Sequence, residues 1–235
     1  MEKSDNPERE TRILQAAAQL FAHYGFDKTT VSDIAREAGV SKGAIYLHFA
    51  SKEELLEALM MRETQRYAES WLRLLEDDPA GGTIGAMYKN SLYALNENPF
   101  MSAMFRQDSR VLGNYLRKPD NLFQRARAAQ AESERLVFVR MMQAAGAVRT
   151  DIQPEVVAHI MDILAFGLAG MDGLLPDQPR PDVGELIEGI ALMMDAALTP
   201  AGADPAAGKA VVRQIADRTR QQMGLASQAE KEKET

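Results

Sequence analysis

In the stretch Thr29–Leu55, TTVSDIAREAGVSKGAIYLHFASKEEL, Gly39 stands between two segments of helical period, and no other feature restricts the fold of the chain as tightly. Thr30 can cap a short helix Val31–Ala38 whose Ile34, Ala35 and Ala38 point inward, and Gly39 then supplies a left-handed turn. Ser41 can cap a second helix, and Val40, Ile45 and Phe49 close a small core against the first. Two helices joined this way form either an ordinary αα-corner or a helix-turn-helix. The outward residues favour the second. Lys42, Gly43, Ala44 and Tyr46 occupy the first turns of the second helix, where small residues allow close approach to a groove and Lys and Tyr can reach phosphates. His48 and Lys52 follow at its far end.

The chain has 235 residues, 46% of them apolar, which suffices for a buried core. No apolar run approaches the roughly 18 residues needed to cross a bilayer. The opening MEKSDNPERE has no apolar stretch and does not read as a secretory signal, so a cytoplasmic protein without a membrane partner is expected. With no cysteine, thiolate nucleophiles, disulfides and zinc-thiolate sites are excluded. The formal net charge is -7, so a polyanionic partner has to be met by a local row of residues and not by a broad basic coat.

Nearly every other segment also repeats with helical period, and strand-like alternation is scarce. Arg12–Tyr24 carries Ile13, Leu14, Ala17, Leu20 and Phe21 on one stripe and stops at Gly25. Ser51 with Glu54 forms a capping-box pattern that starts a long helix reaching about Leu75. DDPAGG at 77–82 breaks the pattern, which resumes over Thr83–Leu95, Pro99–Leu112, Leu122–Ala145, Pro154–Met171 and Val183–Leu198. PDQPRP, from Pro176 to Pro181, cannot lie inside a helix. Beyond Pro200 an amphipathic helix with Val211, Val212, Ile215 and Met223 is expected, then a disordered QAEKEKET tail.

Residues 9–55 resemble the tetracycline-repressor (TetR) family of bacterial transcriptional regulators. The likeness is carried by FAHYGFDKTTVSDIAREAGVSKGAIYLHFASKEELL, with its threonine pair, AGVS turn, aromatic-x-HF segment and K-E-E-L helix start. It implies that Thr30 and Ser41 cap the two helices and touch phosphate, with Thr29 in the same row. By the same resemblance Lys42, Gly43 and Ala44 face base edges, Tyr46 and His48 clamp the backbone, and Lys52 adds a phosphate contact. The remainder matches only as a succession of helices, as this family's variable effector and dimer domain does. The fold expected is all-α, with a three-helix DNA-binding domain at 9–55 after a flexible 1–8, a helical effector-binding and dimerisation domain at 56–200, and a C-terminal extension at 201–235.

Elsewhere the signals are weaker. His159 with Asp162 reads as structural and not as a metal site, and neither G-x-S-x-G nor H-E-x-x-H nor a phosphate loop occurs. No enzyme activity, metal or cofactor is expected. Residues 87–171 are rich in Met and Phe, most of it core; Met87, Met104, Phe105, Phe138, Met142 and Phe166 are the candidates for an apolar effector pocket. Ile160, Ile163 and Gly167 on one late helix, and Leu186, Ile190 and Met194 on the next, are the expected homodimer interface, because the first helix is apolar on more than one face and the second carries a broad apolar stripe that needs a partner. The function expected is a homodimeric repressor of a double-stranded palindromic operator, released by a small hydrophobic or amphipathic effector. An architectural DNA-binding protein without effector, and a helical small-molecule-binding protein or enzyme, are the competing classes.

Overall fold

The computed structural model describes residues 7–129, 132–170 and 181–218. Among them no strand occurs. The helices are α1 (Pro7–Tyr24), α2 (Val31–Ala38), α3 (Lys42–His48), α4 (Lys52–Asp77), α5 (Ile84–Asn96), α6 (Pro99–Phe105) and α7 (Ser109–Leu112). A 3-10 turn Gly113–Arg117 leads to α8 (Leu122–Ala129), α9 (Glu134–Ala144), α10 (Pro154–Gly170) and α11 (Val183–Leu198), and residues 205–218 form α12. Met171, Met223, the QAEKEKET tail and all of PDQPRP except Pro181 lie outside the described residues. Of the segment 1–8 expected to be flexible, Pro7 and Glu8 form the start of α1.

Local chemistry accounts for the boundaries. Asn98 accepts a hydrogen bond from the Met101 amide at 3.1 Å and Pro99 opens α6, where its missing N–H costs nothing. At α4 the Glu54 amide donates to Ser51 Oγ at 3.1 Å, while the Glu54 carboxylate receives the Ala50 amide at 2.6 Å, one residue before the cap. Two stretches read from sequence as single helices are broken. Pro99–Leu112 divides because Gln107 takes a φ of 50° and Asp108 caps the Arg110 amide at 2.9 Å while pairing with its guanidinium at 2.7 Å. Leu122–Ala145 divides at Ser133, extended in backbone, whose hydroxyl accepts from the Leu136 amide at 3.1 Å and starts a new helix.

The described residues form two compact units, one within 1–67 and 95–131 and the other within 68–94 and 132–235. This division does not follow the linear boundary expected near residue 55. Phe100, Met101 and Met104 of α6, with Leu112 and Tyr115 beyond it, are buried in the same core as Ile13, Phe21, Ile34, Ile45, Leu56 and Leu59. Each such side chain contributes about 1.5–3 kcal/mol on burial, so the helix-turn-helix is stabilised by helices far along the chain. Two contacts fix the turn after α1. The Phe26 amide donates to Val111 O at 2.8 Å, and the Asn114 amide donates to the Asp27 carboxylate at 3.0 Å. Gly25 has a φ of 83°, and a Cβ there would lie 2.3 Å from Arg110 O. Buried Tyr115 donates to Glu57 and accepts from the Leu122 amide, both at 2.8 Å, and burial raises its pKa above the ordinary tyrosine value.

In the second unit Ile84, Met87 and Tyr88 of α5 are buried. Asp195 of α11 caps α5 from a distance in sequence, accepting from Thr83 Oγ1 at 2.8 Å and from the Gly85 amide at 2.7 Å. Helix α12 docks through buried Val211 and Val212 and through Arg213, which holds the Glu76 carboxylate at 2.6 and 2.7 Å. The helical part of the expected extension is thus an integral element of this unit.

Candidate nucleic-acid interface

Gly39 ends α2 with φ 64° and ψ 38°, and a Cβ there would meet nothing within 4 Å, so the backbone conformation alone requires the glycine. Its N–H reaches Arg36 O at 3.3 Å and the Val40 N–H reaches Ala35 O at 3.0 Å, which closes the helix end. Both caps form as expected. The Asp33 amide donates to Thr30 Oγ1 at 3.2 Å and the Asp33 carboxylate takes the Thr30 amide and hydroxyl, while Ser41 Oγ receives the Ala44 amide at 3.1 Å. The Thr30 hydroxyl is the chief cause holding the Asp33 carboxyl below the usual carboxylate range. Ile45 and Phe49 are buried beneath α3.

With its inner face anchored, α3 presents Lys42, Gly43, Tyr46 and Leu47 to solvent, with Ala44 and His48 half-buried beside them. Lys42 Nζ lies 5.8 Å from the Tyr46 ring centroid. Leu47 is 84% exposed, and the sequence reading passed over it because helical period did not require it on either face. An apolar side chain so exposed in this row matches the chemistry of a thymine methyl.

Two residues of the expected row turn inward. Thr29 is buried, and its hydroxyl donates to Gly25 O at 2.8 Å with Leu20 O at 3.3 Å. Lys52 Nζ donates to Phe26 O at 2.7 Å and Thr29 O at 3.0 Å and sits 4.1 Å from the Phe26 ring centroid. Burial lowers the Lys52 pKa from its ordinary value. Both side chains hold the α1–α2 turn, because carbonyls left over by the helix end need donors and these two are in reach.

The other candidate residues are divided between the two units. Met104 and half-buried Phe105 belong to the first unit. In the second, the Trp71 indole donates to Met87 O at 3.1 Å and its ring stacks edge-on against Phe138 at 6.5 Å, with Met142 buried on α9. Trp71 is a member of that cluster that the sequence reading missed. Phe166 is 56% exposed on α10 beside Ile160, Ile163 and Gly167, which corrects its assignment to an interior pocket. On α11 Leu186 and Ile190 are half-buried and Met194 is buried at 4% exposure, whereas Leu192 and Met193 are 73% and 70% exposed. Met194 is therefore a core residue of the second unit. Among the described residues no cluster of three His, Cys, Asp or Glu side chains can hold a metal ion, and Asp162 pairs with Arg135 at 2.7 Å. No described helix is long and apolar enough to cross a membrane.

An all-α chain whose capped helix-turn-helix exposes such a row belongs to the class of helix-turn-helix transcriptional regulators. Residues 13–59 match the bacterial regulatory proteins of the tetR family. The transcriptional repressor Rv1474c of Mycobacterium tuberculosis is 32% identical over 166 residues, 68% of this chain and 80% of that protein. The transcriptional regulator YuxN of Bacillus subtilis is 36% identical over 91 residues, 39% of this chain but only 30% of that protein. A solved TetR-family transcriptional regulator from Rhodococcus sp. superposes with a TM-score of 0.59 at 26% identity, covering 82% of this chain and 99% of that one. The chain belongs to the TetR family of transcriptional regulators.

Proposed function

We propose that this regulator is a homodimeric repressor that binds a palindromic operator through α3 and leaves it when an apolar or amphipathic effector binds. The observation that carries the DNA reading is the exposed row Lys42, Gly43, Tyr46 and Leu47 on a helix whose opposite face is buried. Lys42 and Tyr46 meet phosphates, with Thr30, Ser41 and His48 beside them, and Gly43, Ala44 and Leu47 approach base edges. Repression is the role named for the Mycobacterium relative, and it is carried to this chain on that similarity. The dimer forms on α10 and α11, where Ile160, Ile163, Phe166, Leu192 and Met193 leave apolar surface that a second copy would cover. Two recognition helices about 34–36 Å apart then enter successive major grooves. The effector is taken up in the second unit around Met87, Trp71, Phe138 and Met142, whose flexible thioethers and rings suit an apolar guest. It acts by favouring a dimer geometry unsuited to DNA.

Selection from a random duplex pool tests the reading. A palindromic consensus is expected, followed by release of the recovered duplex by apolar compounds that also raise the melting temperature. Recovery of no consensus would overturn operator recognition, and a consensus duplex that no compound in a broad apolar library releases would overturn effector control.

A further inference from the structure

A groove of about 650 Å³ runs beside the recognition helix, and it is not exhausted by the row just described. One wall is Ser41, Gly43, Ala44 and Leu47 of the α3 segment, and the other is Arg9 and Arg12 of α1. No carboxylate lines it. Arg9 and Arg12 are three residues apart on one helix face, and neither has a hydrogen-bond or ion-pair partner among the described residues. Two nearby cations of this domain are already engaged, whereas Lys42 is exposed on α3 itself. Lys52 is bound to two carbonyls, and Arg36 pairs with Asp33 at 2.8 Å. In a chain of net charge -7, two guanidiniums without a partner among the described residues, facing a groove lined by small residues, add to Lys42 the local positive potential that a polyanion needs.

We infer that Arg9 and Arg12 form a phosphate clamp on the DNA strand that lies in this groove, taking the place in the binding energetics that Lys52 does not fill. Guanidiniums hold phosphate oxygens in a bidentate fork, and small Gly43 and Ala44 across the groove leave room for the strand whose bases they approach. The clamp carries no base information; it sets affinity and the seating of α3, while α3 reads sequence. The inference rests on the DNA-binding reading above.

The test uses the full chain, its selected operator duplex and a scrambled duplex, titrated between about 50 and 200 mM salt. The Arg9→Gln, Arg12→Gln double variant is expected to lose affinity about equally on both duplexes, and its slope of log affinity against log salt should be shallower by about 1.8, which is two phosphate contacts. The single Arg12→Gln should lose about half of that, and the Arg9→Lys, Arg12→Lys variant should keep the slope. Circular dichroism should be unchanged, since neither side chain bonds to the rest of the described protein. A slope equal to the wild type's, or a loss confined to the operator, overturns the clamp. The slope is read on both duplexes, so it judges the clamp even where the wild-type protein does not distinguish them; that failure would instead overturn sequence-specific recognition.

Discussion

The recognition helix α3 and the helix pair α10 and α11 both leave large side chains in solvent, and they do so with opposite chemistry. On the seven-residue α3 the exposed set is a lysine, a tyrosine, a leucine and small residues, with unpaired arginines across the adjoining groove. On α10 and α11 it is Ile163, Phe166, Leu192 and Met193, with no cation among them. Exposure alone therefore says nothing about the partner. A polar, positively charged strip remains well solvated until a polyanion replaces water and counterions, whereas a stripe of Ile, Phe, Leu and Met is costly until apolar surface covers it.

The strongest way to break this contrast is to put charge on the apolar helices. Ile163→Arg together with Leu192→Arg should give a folded monomer, because an uncompensated charge in a closed interface costs on the order of 3–5 kcal/mol. Sedimentation with circular dichroism reads the result, and a helical protein that still sediments as a dimer would place the interface elsewhere. Met194→Arg is unsuitable for this purpose, since Met194 is buried within its own subunit and the charge would unfold it.

Two lysines, Lys42 at the start of α3 and Lys52 at the start of α4, sharpen the same contrast within one domain. Lys52→Met should lower unfolding stability by about 1–3 kcal/mol, because Phe26 O and Thr29 O lose their donor, yet leave the salt slope of DNA binding unchanged. Lys42→Ala should do the reverse, keeping the melting temperature and weakening DNA binding by about 1 kcal/mol with a salt slope shallower by about 1. Denaturant melts paired with anisotropy titrations separate the two, and a change of slope in the Lys52 variant would return that residue to the DNA-facing row.

A smaller effect belongs to the cap of α2. Thr30→Ala should cost about 1 kcal/mol through loss of the capping box, read by denaturant midpoint. Acid should mimic part of this. The folded Asp33 carboxyl titrates below its unfolded value, so its contribution is present above about pH 4 and is lost as pH falls through the folded pKa. A Thr30→Ala protein whose stability falls with acid as steeply as the wild type's would show that the box is not the cause.

Much of the exposed α3 row and the turn that sets it was legible because its determinants are local. Thr30 and Ser41 accept from amides three residues on, Gly39 donates its N–H to a carbonyl three residues back, and Ile34, Ile45 and Phe49 follow from helical period. Thr29 and Lys52 were not legible, because their partners Gly25, Leu20 and Phe26 become available only once α1 has ended and turned. Arg9 and Arg12 escaped for a similar reason: an arginine on a helix surface gains meaning only from what lies across the groove.

The sequence by itself determined the all-helical course of most of the chain, the caps at Thr30, Ser41 and Ser51 and the turn that sets α3, since each depends on side chains reaching neighbouring backbone or on a repeat along one element. Only the tertiary structure decided that α6 and the segment after it share the core of the helix-turn-helix, that Asp195 caps α5, that Met194 is core while Leu192 and Met193 are surface, and that Lys52 is spent on carbonyls. A broad apolar stripe does not say which part of it a neighbour covers, and a charged side chain does not say whether a carbonyl or solvent will meet it. Both are settled by residues distant in the chain, whose positions follow from the packing of the whole core.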